Sequence, residues 1–232
     1  GLGPQLVVVY DDTTATGCVK GKLSYQVSSQ NNNAEERSHG YQSTGTELTF
    51  RDSSNKYIGV RFRNIALPQG ASILNAYLEF TAYQSSSNSF ASFNIAGVDQ
   101  DDPSSFKSYP RFLLRDKPKT TAVAWSDIPR WYKNYTYQSP SVTNIVQEIV
   151  DRTGWNSGNE MMLIMSDFSS VRRGAFTYRG QASAATRLVI EFEGNATPGT
   201  TSTVRQQLIG NVDDLGTRGY TPIVDTLYEA TL

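Results

Sequence analysis

Short apolar segments recur along the 232-residue chain as far as residue 193, and a polar stretch rich in Ser, Asn, Gly or Pro separates each from the next. Segments of this length, in which apolar and polar side chains alternate, are typical of half-buried strands. The chain must therefore bury its core mainly between sheets. We predict strands at 6–10, 23–27, 47–50, 57–62, 73–81, 93–98, 120–125, 160–165, 175–179 and 187–192.

The pattern also predicts finer features of these strands. The turn-rich segment 52–55 favours a hairpin between 47–50 and 57–62. The polar stretch 28–44 is predicted to be a loop. In 73–81, alternation places four apolar side chains on one face, namely Leu74, Ala76, Leu78 and Phe80.

One segment has helical periodicity instead. Apolar residues stand at i, i+3, i+4, i+7 and i+8, namely Val142, Ile145, Val146, Ile149 and Val150. Ser139 and Pro140 are typical of a helix start, and Gly154 of a helix end. Many short strands with one amphipathic helix indicate a mainly β chain, a β-sandwich of jelly-roll type.

Composition excludes several classes of function. With 21 basic and 22 acidic residues the net charge is −1, so the chain as a whole does not attract nucleic acid or anionic membranes. Cys18 and His39 are the only residues of their types, which excludes an intrachain disulfide, multi-His zinc sites and Ser-His-Asp triads. No apolar run approaches the length of a membrane-spanning helix. No pair of carboxylates stands out for glycoside hydrolysis, so we expect a protein that is not an enzyme.

Several motifs together resemble a known kind of module. They are Gly59–Phe62 with Ile65–Thr81, Ile145–Val150 with Gly154–Asn159, and the pair Trp125 and Trp131. This set resembles a lectin-like or carbohydrate-module-like sandwich of bacterial surface proteins. The resemblance covers residues 22–193.

The last thirty residues differ in composition and carry a second resemblance. Gly219–Ala230 resembles a segment of the von Willebrand factor A domain in PilC/PilY-type adhesins of type IV pili. The resemblance implies a von Willebrand A strand fragment at 1–21, the lectin-like sandwich inserted at 22–193, a linker at 194–202 and a von Willebrand A helical fragment at 203–232. Termini that lie close in space permit such an insertion.

The resemblance further implies a non-enzymatic adhesion domain, located at the pilus tip or outer membrane of a Gram-negative bacterium. Its expected partners are a host-cell or extracellular-matrix protein or a glycan and, in the full protein, the major and minor pilins. Neither nucleic acid nor membrane insertion is expected. Two alternatives stay open: a carbohydrate-binding module of a secreted hydrolase, and a structural spacer that tunes the A domain.

Two places are candidates for a divalent cation, Ca²⁺ or Mg²⁺. In the A-domain family, a threonine contributes to a metal-dependent adhesion site, and Thr221 matches it, but the Asp-x-Ser-x-Ser motif of that site is absent here. Asp99, Asp101 and Asp102 form a carboxylate cluster of the hard oxygens that calcium prefers, with a solvated loop as the alternative. Glu35 and Glu36 either share such an ion or lie on a solvated face.

The segment 130–138 is dense in tyrosine and amide side chains. Exposed aromatic rings stack on sugars or proteins, and amides bind hydroxyl groups. Tyr132, Asn134, Tyr135 and Tyr137 are therefore the candidate ligand-binding residues; the alternative is that they pack beneath the loop. We predict that the three tryptophans, Trp125, Trp131 and Trp155, lie in the core, and that four arginines act as salt-bridge partners: Arg172, Arg173, Arg179 and Arg187.

Overall fold

The computed structural model describes residues 5–8, 18–37, 42–43, 45–52, 55–106 and 114–195. These residues form thirteen strands and one α-helix. The strands are β1 (Gln5–Val8), β2 (Cys18–Gln26), β3 (Asn33–Arg37), β4 (Gln42–Ser43), β5 (Glu47–Phe50), β6 (Asn55–Phe62), β7 (Ser72–Thr81), β8 (Ala91–Gly97), β9 (Val123–Ile128), β10 (Thr136–Gln138), β11 (Met161–Ser166), β12 (Arg173–Phe176) and β13 (Arg187–Asn195), and the helix is α1 (Thr143–Val150). Each of the ten predicted strands overlaps one of them.

Two antiparallel sheets make up the sandwich. One has five strands in the order β1-β2-β13-β7-β10, and the other has six in the order β4-β3-β6-β11-β8-β9. A short ladder of β12 with β5 adds a third sheet, and α1 packs against β7. A single buried cluster contains side chains from both large sheets, such as Leu188 of β13 and Val60 of β6. The predicted mainly β sandwich is therefore confirmed, while the von Willebrand A fragment stays a prediction.

Aromatic rings fill one part of this core. Phe50 stacks on Phe93 with ring centroids 4.9 Å apart, and Phe80 stacks on Trp131 at 6.2 Å. All three tryptophans are buried, which confirms the prediction for them. The Trp155 indole N–H donates to the Leu67 carbonyl at 2.9 Å, so this ring is anchored as well as packed.

A β-bulge changes which side chains of β7 face the core. Asn75 pairs with Glu191 and Ile73 with Phe192, so Leu74 is the extra residue in β7. The bulge turns Ile73 inward and leaves Leu74 exposed. The prediction that Leu74 shares the buried face of β7 is therefore wrong, although it holds for Ala76, Leu78 and Phe80.

Two local predictions fail because strands pair with distant partners. β5 pairs with β12, and β6 pairs with β3 and β11, so the hairpin between 47–50 and 57–62 is wrong. The predicted loop 28–44 contains β3 and β4. Glu35 and Glu36 of β3 are both buried, which contradicts their placement on a solvated face. The fully buried Glu36 carboxylate accepts a hydrogen bond from Arg115 Nε at 2.6 Å and is bonded by the Leu114 backbone N–H.

The helix begins and ends inside the predicted limits. Its N-cap is Val142, which provides no side-chain cap. Ser139 instead accepts a hydrogen bond from the Leu78 N–H at 2.9 Å, so the predicted cap residue ties the start of the helical segment to β7. The helix ends at Val150, and Gly154 lies against the Asp101 carboxylate, where a Cβ atom would meet Asp101 Oδ2 at 2.2 Å.

Two observed strands cross the predicted domain limits. β2 begins at Cys18 and runs past residue 21, and β1 pairs with it. β13 extends to Asn195, two residues into the predicted linker. The division at 21/22 and the fragment 203–232, which lies outside the described residues, stay predictions. Among the described helices, none has the length and apolar character needed to cross a membrane.

Candidate ligand-binding surface

The loop of residues 129–135 crosses from one large sheet to the other along one side of the sandwich. It joins β9, the end strand of the six-stranded sheet, to β10, the end strand of the five-stranded sheet. Tyr132 and Tyr135 on this loop are 50% and 67% exposed. Their rings contact each other edge to face with centroids 6.2 Å apart. Adjacent exposed tyrosines on a fixed backbone are typical of a recognition surface.

Buried contacts hold this loop from beneath. The Trp131 ring stacks on the Tyr137 ring, with centroids 5.0 Å apart and planes inclined by 11°. The Tyr137 hydroxyl accepts a hydrogen bond from the Tyr132 N–H at 2.7 Å. Asn134 adopts a φ of 68°, and its N–H donates to the Ala82 carbonyl at 2.8 Å. Tyr137 is half-buried and supports the loop, so this residue agrees with the alternative that the tyrosines pack beneath the loop. Asn134 is exposed.

A second loop, residues 83–90, lies against the first. The Ser86 N–H donates to the Trp131 carbonyl at 2.9 Å, and the Trp131 N–H donates to Ser86 Oγ at 2.9 Å. The loop ends at Phe90, which is 64% exposed. Sequence analysis missed Phe90, although a lone aromatic residue after the polar run 85–89 is a usable signal. We call Phe90, Tyr132 and Tyr135 the aromatic surface.

A buried arginine fixes the backbone of both loops. Arg173 is fully buried, and its guanidinium donates to four main-chain carbonyls. These are Pro129 at 2.8 Å, Ile128 at 2.8 Å, Ser89 at 2.6 Å and Arg172 at 2.8 Å. Burial lowers the pKa of this guanidinium. Within the described part of the chain it has no carboxylate partner, so the prediction that Arg173 is a salt-bridge partner is wrong.

Positive charge accompanies the aromatic surface. The Arg130 guanidinium lies over the Tyr132 ring, with Cζ 4.8 Å from the ring centroid, and Nη1 donates to Asn88 Oδ1 at 3.0 Å. Neither Arg130 nor Lys133 forms a salt bridge with any of the described residues. The two loops themselves contain no Asp or Glu. The surface therefore combines exposed rings with two cations that form no salt bridge with the described residues.

The predicted calcium cluster lies at the other end of β8. Phe90 precedes β8 and Asp99 follows it, so at roughly 3.3 Å per residue the two places are more than about 20 Å apart. Arg152 Nε donates to Asp101 Oδ1 at 2.6 Å, and Arg152 Nη1 pairs with Asp99. Asp102 Oδ1 accepts a hydrogen bond from the Glu160 N–H at 3.0 Å.

Arg152 thus pairs with two of the three carboxylates for which a cation was predicted, Asp99 and Asp101. Within the ranges that the structure describes, no three His, Cys, Asp or Glu side chains form a group that could hold a metal ion. The calcium site at Asp99, Asp101 and Asp102 stays a prediction without geometric support. Thr221, the predicted adhesion-site threonine, lies outside the described residues.

The other predicted arginines differ in their surroundings. Arg172 pairs with Glu47 at 2.6 Å and Arg187 with Glu79 at 3.8 Å, which confirms the prediction for these two. Arg179 is exposed and forms no salt bridge with the described residues, so the prediction is wrong for it. Burial, which outweighs the effect of Arg172, raises the pKa of Glu47 to about 6. A carboxyl group of this kind suits proton transfer, but the charged neighbours that the described residues place near it, Arg172 and Glu35, do not define a reaction. The expectation of a protein without enzymatic activity stays a prediction.

No protein-family model matches the chain, and no curated protein is significantly similar to it. The functional assignment therefore depends on the residues themselves and their geometry.

Proposed function

We propose that the sandwich is a non-enzymatic adhesion domain that binds a host-cell or environmental ligand through the aromatic surface. In this proposal the full protein is a surface protein associated with type IV pili, at the pilus tip or outer membrane of a Gram-negative bacterium, and its other partners are pilins. The location and the pilin partners follow from the resemblance of Gly219–Ala230 to PilC/PilY-type adhesins.

The observation that carries the proposal is the exposure of Phe90, Tyr132 and Tyr135 on two loops that hydrogen bonds hold in place. Large aromatic side chains contribute much of the binding energy at protein and glycan interfaces. Because the loop backbones are fixed before a ligand arrives, little conformational entropy is lost on binding. A spacer that binds nothing has no need of this arrangement.

A carbohydrate-binding module of a secreted hydrolase is the second candidate, since the same rings suit stacking on sugars. The two candidates share the aromatic surface and differ in the rest of the protein. Retention of the full protein on sheared pili favours the adhesin, whereas co-secretion with a hydrolase domain favours the module.

The test compares a surface variant with a matched control. The full chain is applied to a printed glycan array, to immobilised fibronectin, laminin and collagen, and to cultured epithelial cells. We expect binding to at least one of these probes. Because removal of an interface aromatic costs on the order of 1–2 kcal/mol, the double variant Tyr132→Ala/Tyr135→Ala is expected to bind at least about tenfold more weakly.

The control variant is Leu74→Ala, which removes an exposed apolar side chain near the start of β7, away from the residues that pair with β10. It is expected to bind like the unsubstituted chain. Equal binding by the double variant, or no binding to any of the probes, contradicts the proposal.

A further inference from the structure

We propose that the ligand of the aromatic surface is a saccharide that carries a carboxylate, a uronic acid or sialic acid residue, and that Arg130 binds this carboxylate. This inference depends on the proposed function, because it names the ligand class of the same surface. It makes Arg130 the residue that determines specificity, with Lys133 in support.

The first step is the state of Arg130. Arg130 is half-buried as a residue, and its guanidinium rests on the Tyr132 ring and donates to Asn88, so it has a fixed position. Its Nε is buried without a hydrogen-bond partner among the described residues. A cation that is partly removed from water and pairs with no carboxylate of the described residues favours an incoming anion.

The second step concerns the surroundings of Arg130. The fully buried guanidinium of Arg173 bonds the carbonyls of Ile128 and Pro129, directly before Arg130 in the chain. Lys133 is exposed on the same loop. The nearest acid along the chain, Asp127, forms no salt bridge with any of the described residues. Arg130 and Lys133 thus stand on loops without an acidic residue, although the whole chain has a net charge of −1.

The third step is the match between these groups and a carboxylated sugar. Aromatic rings pack against the apolar C–H faces of a sugar ring. The planar fork of an arginine matches a carboxylate and binds it by charge-assisted hydrogen bonds. Exposed residues with amide and hydroxyl groups on the same two loops, Asn88, Asn134 and Ser87, suit sugar hydroxyls. A neutral sugar uses the rings and amides and leaves the cation unpaired.

The experiment uses matched acidic and neutral saccharides. Affinities of the full chain are measured for sialyllactose against lactose, and for oligogalacturonate against its methyl ester. We expect at least about tenfold tighter binding of each acidic member, since a hydrogen bond to a charged group is stronger than one between neutral groups. The preference is expected to shrink as NaCl rises from about 0.05 to about 0.5 M, because salt screens the exposed part of the interaction.

Charge variants identify the residue responsible. Arg130→Gln is expected to lose the preference for the acidic member and to retain the weak binding of the neutral one, and Lys133→Gln to lose part of it. Lys20→Gln removes an exposed cation of β2, three strands from β10, and serves as the matched control. Thermal unfolding of each variant separates loss of binding from loss of folding.

Three results would overturn the inference. Equal affinity for acidic and neutral saccharides refutes it, while loss of binding in Tyr132→Ala/Tyr135→Ala still supports the proposed function. Absence of binding to any carboxylated saccharide also refutes it, and binding to fibronectin, laminin or collagen then identifies a protein ligand. A preference for acidic saccharides that persists in both charge variants assigns the recognition to other residues.

Discussion

Replacing Arg173 by methionine removes the guanidinium and keeps much of the side-chain volume, so it isolates the four hydrogen bonds to main-chain carbonyls. Ser89 and Pro129 are exposed residues, whose carbonyls can turn to water. The carbonyls of Ile128 and Arg172 belong to buried and half-buried residues and lose a donor without a ready substitute.

These contacts set the expected loss of stability. An orphaned buried acceptor costs about 1–3 kcal/mol, so two of them suggest about 2–6 kcal/mol. Loss of the buried cation also relieves its desolvation, but the four carbonyls already compensate most of that cost, so this relief is small. We expect a net loss of about 3 kcal/mol, which for a domain of this size corresponds to a fall in Tm of about 6–12 °C.

Urea unfolding followed by tryptophan fluorescence measures the loss of stability, because Trp131 is part of one of the affected loops. Hydrogen exchange shows whether the effect is local to the loops. The amides of Ser86 and Lys133 are expected to exchange faster, whereas the protection of the Ile149 amide in α1 is expected to fall no more than the global free energy of unfolding does. The matched control is Arg187→Met, at a half-exposed arginine 3.8 Å from Glu79, where at most about 1 kcal/mol is expected. A loss in Arg173→Met no larger than in this control would refute the role assigned to Arg173.

Two further predictions concern the remaining charged groups. The Glu47 side chain is 12% exposed, and its pKa in the folded state is about 6, above the ordinary value of 4.5. Folding therefore favours the protonated form of Glu47, and its contribution to the stability of the fold is lost as pH rises from 4.5 through about 6. Glu47→Gln is therefore expected to raise stability by about 1–2 kcal/mol near pH 7 and to change it little near pH 4, and urea titrations in which the gain near pH 7 is absent contradict this. Millimolar Ca²⁺ is expected to leave the Tm of the unsubstituted chain unchanged. It is expected to raise the Tm of Arg152→Ala, because Asp99 and Asp101 lack their partner in that variant. A rise in the Tm of the unsubstituted chain instead supports the predicted calcium site.

Much of the strand content could be predicted from local alternation, because most strands of this sandwich bury one face. The pairing of the strands could not. β5 lies close in sequence to β6 but pairs with β12, some 125 residues later. β3 escaped prediction because its buried side chains include Glu35 and Glu36, and the partners of Glu36 lie almost eighty residues away. The bulge at Leu74 could not be predicted from the sequence, because Ile73 and Leu74 are both apolar and either could face the core.

The candidate surface could likewise be predicted only as far as it depends on local sequence. Tyr density identified the loop that presents Tyr132 and Tyr135, but could not separate these from Tyr137, whose ring stacks on Trp131. Phe90 joins the surface only because hydrogen bonds bring the loop 83–90 against 129–135. Arg173 follows Arg172 in the sequence. Only the tertiary structure shows that Arg173 is buried and donates to backbone carbonyls, whereas Arg172 pairs with Glu47.

The way in which Arg173 holds the loops also bears on how such a surface acquires its ligand. Within the described part of the chain, the hydrogen bonds of its guanidinium all go to backbone carbonyls, so the clamp does not depend on the side chains at Phe90, Arg130 or Tyr132. Those side chains can therefore change while the loop backbones keep their positions. In the proposed function, stability and ligand choice are thus carried by different groups at one place: Arg173 and Trp131 within the core hold the loops, and the side chains at the surface select the ligand.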